Sequence, residues 1–325
     1  MTVLPRFSPF VAPAAPRLNP AKFRDPYVTA KGERRASVGL ERLETLWLNT
    51  GTLCNLTCLN CYIESSPKND ALVYLTSAEA AGYLDEIRVL GLGTREIGFT
   101  GGEPFMNPQL TEMLEDALGR GFEVLVLTNA MRPMRRHEAA LLGLKSRHGS
   151  RLTLRVSLDH HTAAVHEAER GVATFGKTLD GLQWLADNGF SLAVAGRRLT
   201  DEPETDARAA FARLFARLGV PVDAFDPGRL VLFPEMDAGH DVPEITEACW
   251  GILHKDPREV MCASSRMVVR RKGSERARVV ACTLLPYDPQ FDMGASLADA
   301  RRPVALNHPH CAKFCVLGGA SCSSG

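Results

Sequence analysis

The chain of 325 residues carries no net charge: Lys+Arg and Asp+Glu number 38 each. That balance removes any global field that would draw it to nucleic acid, although a local site stays open. No apolar run approaches the roughly 18 residues needed to span a bilayer, so no membrane helix is expected. The opening Met1-Thr2-Val3-Leu4-Pro5-Arg6-Phe7 is broken by proline and does not read as a secretory signal. Neither an internal repeat nor a low-complexity tract is visible. A cytoplasmic protein is therefore expected, and disulfides are rare in a reducing compartment. The nine cysteines, where they cluster, read as metal ligands or catalytic groups instead.

Apolar residues make up 45% and charged residues 23%, an ordinary globular balance. The length suffices for one large core, or a large and a small domain. Pro5, Pro9, Pro13, Pro16, Pro20 and Pro26 exclude a continuous helix over 1–40, which reads as an extended surface arm. From Leu46-Trp47-Leu48 onward, short apolar runs alternate with amphipathic stretches. Strands are expected at 96–99, 123–127, 152–158, 192–195 and 229–233. Helices are expected at 76–90, 110–118, 136–144, 175–186 and 205–218, the first opened by the capping box Thr76-x-x-Glu79 and closed by Gly91. Six such units imply a parallel sheet, open or curled towards a barrel. After Pro234 the rhythm stops, and a boundary near 240 divides a unit at 41–240 from a cysteine-rich unit at 241–325.

Cys54, Cys58 and Cys61 stand in C-x3-C-x2-C spacing after the first strand. Three thiolates can hold a [4Fe–4S] cluster and leave one iron open to a ligand; a structural zinc site is the plainer alternative for this loop alone. Gly101-Gly102-Glu103 follows the second strand. Its glycines permit close backbone approach, and its carboxylate suits an ammonium group. By itself it is equally a tight turn.

Together the two motifs resemble the radical SAM superfamily over about residues 44–235. The resemblance implies a partial (β/α)6 TIM-type barrel with a small C-terminal iron–sulfur extension. It implies a catalytic [4Fe–4S] cluster on Cys54, Cys58 and Cys61 and a bound S-adenosylmethionine (SAM), whose amino group Gly101, Gly102 and Glu103 would receive. Reductive cleavage would give a 5′-deoxyadenosyl radical that abstracts hydrogen from substrate. The family often has an aromatic residue just before the third cysteine, near the adenine; here Asn60 stands there and Tyr62 follows Cys61. Thr128-Asn129 ends the third strand, with Asn129 a further cofactor-binding candidate.

Ser157-Leu158-Asp159, then His166 and Glu169-Arg170-Gly171, are similar to a pattern in peptide-modifying members, which implies Ser157 and Arg170 near the ribose and carboxylate of SAM. The alternative is that Ser157 and Asp159 cap the next helix and Arg170 is solvated. Arg197 and Glu235 read as ordinary loop charges, with facing the mouth as the alternative. His160, His161 and His166 read as mouth-lining or surface groups, not metal ligands.

Cys262 and Cys282 flank a predicted β-hairpin, and Cys311, Cys315 and Cys322 follow. The order resembles SPASM or twitch extensions, which implies one auxiliary [4Fe–4S] cluster on four of these five. A zinc site and free thiols are the alternatives. Cys249, beside Trp250, reads as a buried small apolar residue. Expected partners are a peptide or small-molecule substrate and an electron donor such as flavodoxin or ferredoxin, with no nucleic acid and no membrane. A cluster-binding scaffold or redox sensor is the non-catalytic rival.

Overall fold

The computed structural model describes residues 17–234 and 239–318. In chain order the strands are β1 Ser37–Val38, β2 Thr45–Asn49, β3 Glu96–Thr100, β4 Glu123–Thr128, β5 Leu152–Ser157, β6 Ser191–Arg198, β7 Leu230–Pro234, β8 Ser265–Val269, β9 Arg278–Val280, β10 Asp292–Gly294 and β11 Val304–Ala305. The helices are α1 Ser77–Leu90, α2 Leu110–Gly119, α3 Arg132–Arg135, α4 Glu138–His148, α5 Ala163–Arg170, α6 Thr174–Asp187, α7 Glu204–Leu218 and α8 Cys249–Ile252.

Strands β2 to β7 lie side by side, all parallel and in sequence order. Each strand reverses through a helix, so all their C-terminal ends reach one rim. Alternate side chains divide between two faces. Trp47, Leu125, Met267, Val269 and Val280 cluster on one face. Leu46, Leu48, Phe99, Val126, Leu154 and Val156 pack on the other, beneath the helices. Trp47 is paired in register with Gly98. A Cβ on Gly98 would lie 2.4 Å from the indole, so the largest inner side chain requires the smallest partner.

Helix α1 carries both halves of its predicted capping box and ends on Gly91 in the left-handed conformation. The helix expected at 136–144 is α4, which runs on to His148; the single turn α3, with Pro133 in its first turn, precedes it and was not anticipated. Helix α5 was not anticipated; it is a short turn built around the buried His166.

The C-terminal hairpin forms as β8 and β9, antiparallel, but it does not stand apart. Strand β8 adds to the open side of β2, parallel to it, and the sheet runs β10-β9-β8-β2-β3-β4-β5-β6-β7. The end of the N-terminal segment is likewise packed in rather than lying on the surface. Strand β1 pairs with β11, Ala36 and Val38 are buried, and Arg35 is buried against Glu244.

Candidate active site

At the strand C-termini lies a cavity of about 460 Å³. Cys54, Cys58 and Cys61 all line it, with Gly101, Gly102, Asn129, Ser157, Arg170 and Tyr62. The sequence-predicted residues of the barrel thus converge, with one exception. Glu103 is not on the lining; it is buried just behind it at 2% exposure.

The cysteine loop is held from three sides. Cys54 N–H donates to Ser66 O at 3.1 Å, and Leu59 N–H donates to Glu169 O at 2.8 Å. The Asn60 amide donates to both oxygens of the Glu169 carboxylate. From the C-terminal segment, the Tyr287 hydroxyl donates to Ile63 O at 2.9 Å. Burial pushes the Cys54 thiol up to about 12, with Glu103, Cys58 and Cys61 adding repulsion. Cys58 is also raised by burial, with Arg170 opposing. Sulfurs that repel one another around one cavity suit a shared cationic cluster, which binds as the thiols lose their protons.

The two glycines of the second motif have a role the sequence did not show. Gly102 N–H donates to Gly51 O at 2.8 Å, and Glu103 N–H donates to Leu53 O at 3.1 Å. A Cβ on Gly101 would sit 2.5 Å from Gly51 O, and one on Gly102 2.3 Å from Leu53 O. The glycines therefore let this turn pack onto the backbone leading into Cys54. The Glu103 carboxylate ties the turn to β4: Thr128 Oγ1 and Asn129 N–H each donate to it at 2.8 Å, and Phe105 N–H at 3.3 Å. Burial raises Glu103 to about 7 against these hydrogen bonds. Asn129 Nδ2 donates in turn to Asn55 Oδ1 in the cysteine loop, at 2.9 Å.

Arg170 is not solvated, and Asp159 caps no helix. The guanidinium is bidentate on Asp159, Nε to Oδ2 at 2.7 Å and Nη2 to Oδ1 at 2.9 Å. Burial works against the Asp159 carboxylate, yet Arg170 holds it below the usual carboxylate range. Arg197, expected as a loop charge, lines the cavity and pairs with Glu169 at 3.1 Å. His160, His161 and His166 correct the expectation: none of the three lines the cavity. His166 is fully buried against Phe175, and burial lowers its pKa to about 4. His160 is buried beside His161, and both face Glu202.

Sequence reasoning missed Arg155, Phe233, Leu284, His310 and Phe314, all cavity-lining. A cation inside the apolar run Leu152-Thr153-Leu154-Arg155-Val156 was a readable signal for Arg155. Phe233 lies at the end of the barrel strand β7, and the other three depend on how the C-terminal segment folds over the mouth. Glu235 and Cys322 lie outside the described residues.

Among the described residues no disulfide joins any of the eight cysteines. The antiparallel register of β8 and β9 brings Cys262 and Cys282 to the same end of the hairpin. Cys311 and Cys315 lie on a π-helical stretch, Cys311–Val316. Burial raises the Cys311 thiol well above its ordinary value, and Cys282 and Cys262 raise it further. These three sulfurs therefore share one neighbourhood, and that donor set fits an iron–sulfur cluster. Cys249 is half-buried, its sulfur accepting from Thr246 N–H at 3.4 Å.

Together these features describe an α/β barrel that presents a three-thiol loop, locked to a Gly-Gly turn, at the mouth of one cavity. The chain belongs to the radical SAM superfamily, whose family model matches residues 48–215. Members of that superfamily use a [4Fe–4S] cluster and SAM. Over 143 residues it is 34% identical to the antilisterial bacteriocin subtilosin biosynthesis protein AlbA of Bacillus subtilis (strain 168), covering 44% of this chain and 30% of that protein. Over 171 residues it is 29% identical to the mycofactocin maturase MftC of Mycobacterium tuberculosis (strain ATCC 25618 / H37Rv), covering 51% of this chain and 40% of that one. The chain thus spans well under half the length of these relatives. Among solved structures, Streptococcus suis SuiB bound to S-adenosylmethionine superposes with a TM-score of 0.57 at 10% identity, covering 78% of this chain and 64% of SuiB. Native anSMEcpe with bound AdoMet gives 0.55 at 13%, covering 83% and 82%. These structures share the fold. No helix of the described residues is long and apolar enough to cross a membrane.

Proposed function

We propose that this chain reductively cleaves SAM to a 5′-deoxyadenosyl radical, which abstracts hydrogen from a peptide or natural-product precursor during its maturation. The observation that carries the reading is the convergence of Cys54, Cys58 and Cys61 with the Gly101-Gly102 turn on one cavity. In this reading the three thiolates hold the catalytic [4Fe–4S] cluster, which supplies the electron that breaks the S–C5′ bond. Gly101, Gly102 and Glu103 position the SAM amino group. Asn129, Ser157, Arg170 and Tyr62 orient the rest of the cofactor. Phe233, Leu284 and Phe314 exclude water from the reacting groups.

The peptide class is supported by the relatives, whose names concern bacteriocin biosynthesis and mycofactocin maturation, and by SuiB, which has been solved bound to precursor peptide SuiA. A small-molecule substrate is the alternative, and GTP 3′,8-cyclase of Rhodococcus opacus, 30% identical over 186 residues, is a relative of that kind. Four of Cys262, Cys282, Cys311, Cys315 and Cys322 would hold an auxiliary cluster. The free thiols suit a reducing cytoplasm, and the electron would come from a flavodoxin- or ferredoxin-type donor.

The test is anaerobic reconstitution with iron and sulfide, reduction, and measurement of 5′-deoxyadenosine from SAM. Wild type should form it, and Cys58→Ala should not. Full production by Cys58→Ala would sink the cluster assignment. No production by iron-loaded wild type would point to a scaffold or redox sensor.

A further inference from the structure

Arg266 in β8 is 1% exposed. Its guanidinium donates only to carbonyls: Nε to Ala300 O at 2.9 Å, Nη1 to Cys262 O at 2.6 Å and Ser265 O at 2.7 Å, and Nη2 to Arg302 O at 3.4 Å. Among the described residues, no carboxylate pairs with it. Other buried arginines are built differently: Arg35 faces Glu244 and Arg170 faces Asp159. A buried charge without a counter-charge is expensive, and carbonyl dipoles offset only part of that cost. The acidic groups acting on this guanidinium are the thiols of Cys262 and Cys282. The bond from Nη1 to Cys262 O holds this cation at the hairpin end where the β8–β9 register also brings Cys282.

We propose that Arg266 is the built-in charge partner of a cysteine-ligated cluster at Cys262, Cys282 and Cys311, where it favours cluster assembly and raises the cluster's reduction potential. The proposal rests on the auxiliary-cluster reading of these cysteines. Four thiolates outweigh the charge of a cubane core, so such a cluster is a net anion, and more so when reduced. A fixed cation in a water-poor site favours the more negative state. The hydrogen bonds to Cys262 O and Ser265 O hold that cation at the turn carrying the first ligand. Arg266 is thus a positioning and tuning residue rather than a ligand.

The experiment uses the full chain carrying Cys54→Ala, Cys58→Ala and Cys61→Ala, so that only the auxiliary site reports. Into it are placed Arg266→Met, Arg266→Gln, which is neutral but keeps hydrogen-bond donors, and Arg266→Lys, which keeps the charge. Iron content, the iron–sulfur absorption band and an EPR-monitored redox titration are read. The Gln and Met variants should shift the reduced-to-oxidised ratio at fixed potential at least about ten-fold towards oxidised, about 59 mV for one electron, or lose the iron from a folded chain. Lys should stay near the parent. An unchanged potential with full iron in folded Arg266→Gln would overturn the proposal, as would an equal loss in Arg266→Lys. A parent triple variant that binds no iron would instead overturn the auxiliary-cluster reading itself.

Discussion

Gly102 and Leu53 lie so close that a Cβ on the glycine would meet the Leu53 carbonyl oxygen at 2.3 Å. The second motif is thus a buttress for the cysteine loop. Gly102→Ala should displace the backbone leading into Cys54 and cost the catalytic site about four irons, one cubane, per reconstituted chain. Gly119→Ala, where nothing lies within 4 Å, is the control and should keep full iron. Iron analysis and circular dichroism of both variants check this.

Glu103 makes the metal-free chain pH-sensitive. Burial raises its folded pKa to about 7 from an ordinary 4.5, so the folded state binds the proton more tightly than the unfolded one. This group's contribution to stability is full below about pH 4.5 and is lost as pH rises through about 7. The difference in unfolding free energy between wild type and Glu103→Gln should therefore move against wild type across that window. Urea melts of the metal-free proteins at several pH values measure it, and a flat difference would contradict the burial argument.

The Asp159–Arg170 pair is buried and bidentate. Arg170→Met strands a buried carboxylate and should cost about 3–5 kcal/mol. Asp159→Asn combined with Arg170→Met should cost less than the two single changes summed, since neither charge is then left alone. Thermal unfolding of the three variants tests the coupling, and SAM affinity measured alongside shows how far the pair also serves the cavity.

A second, larger groove lies along Asn55, Leu56 and Thr57, the residues between Cys54 and Cys58. It carries Arg132, Arg136 and Lys177, all exposed, against one opposing carboxylate, Asp180. In a chain without net charge, this local basic surface suits an acidic electron donor. Reversing the three cations to glutamate should slow 5′-deoxyadenosine formation driven by flavodoxin about ten-fold or more and flatten its salt dependence. Turnover with a small chemical reductant should be unchanged. An equal loss with both reductants would place the effect on the site rather than on docking.

Several features were legible in the sequence because their causes are local. The capping box of α1 and the left-handed Gly91 follow from short-range hydrogen bonding and backbone sterics. Six strands with helices in their five connections show as apolar periodicity, and the spacing Cys54, Cys58, Cys61 puts three thiols within one loop whatever surrounds it. The unanticipated turn α3 is also local: Pro133 sits in its first turn, and it closes at Arg136.

What tertiary structure alone decided are the partners of charges and the neighbours of loops. Arg170 could have met a bound carboxylate or solvent; the fold gives it Asp159. Glu103 read as an acceptor for an ammonium group; the fold also gives it Thr128 and Asn129 as donors. His166, in a polar stretch of sequence, is a core residue. Strand β8 joins β2 across more than 200 residues of chain, and Tyr287 reaches Ile63 across 224. Such contacts are selected by burial and charge matching over the whole molecule, where a buried polar group must find whichever partner the packing brings to it. The sequence by itself therefore determined the cluster loop and the barrel rhythm. The assembled fold determined which residues close the cavity and which buried charge awaits a counter-charge.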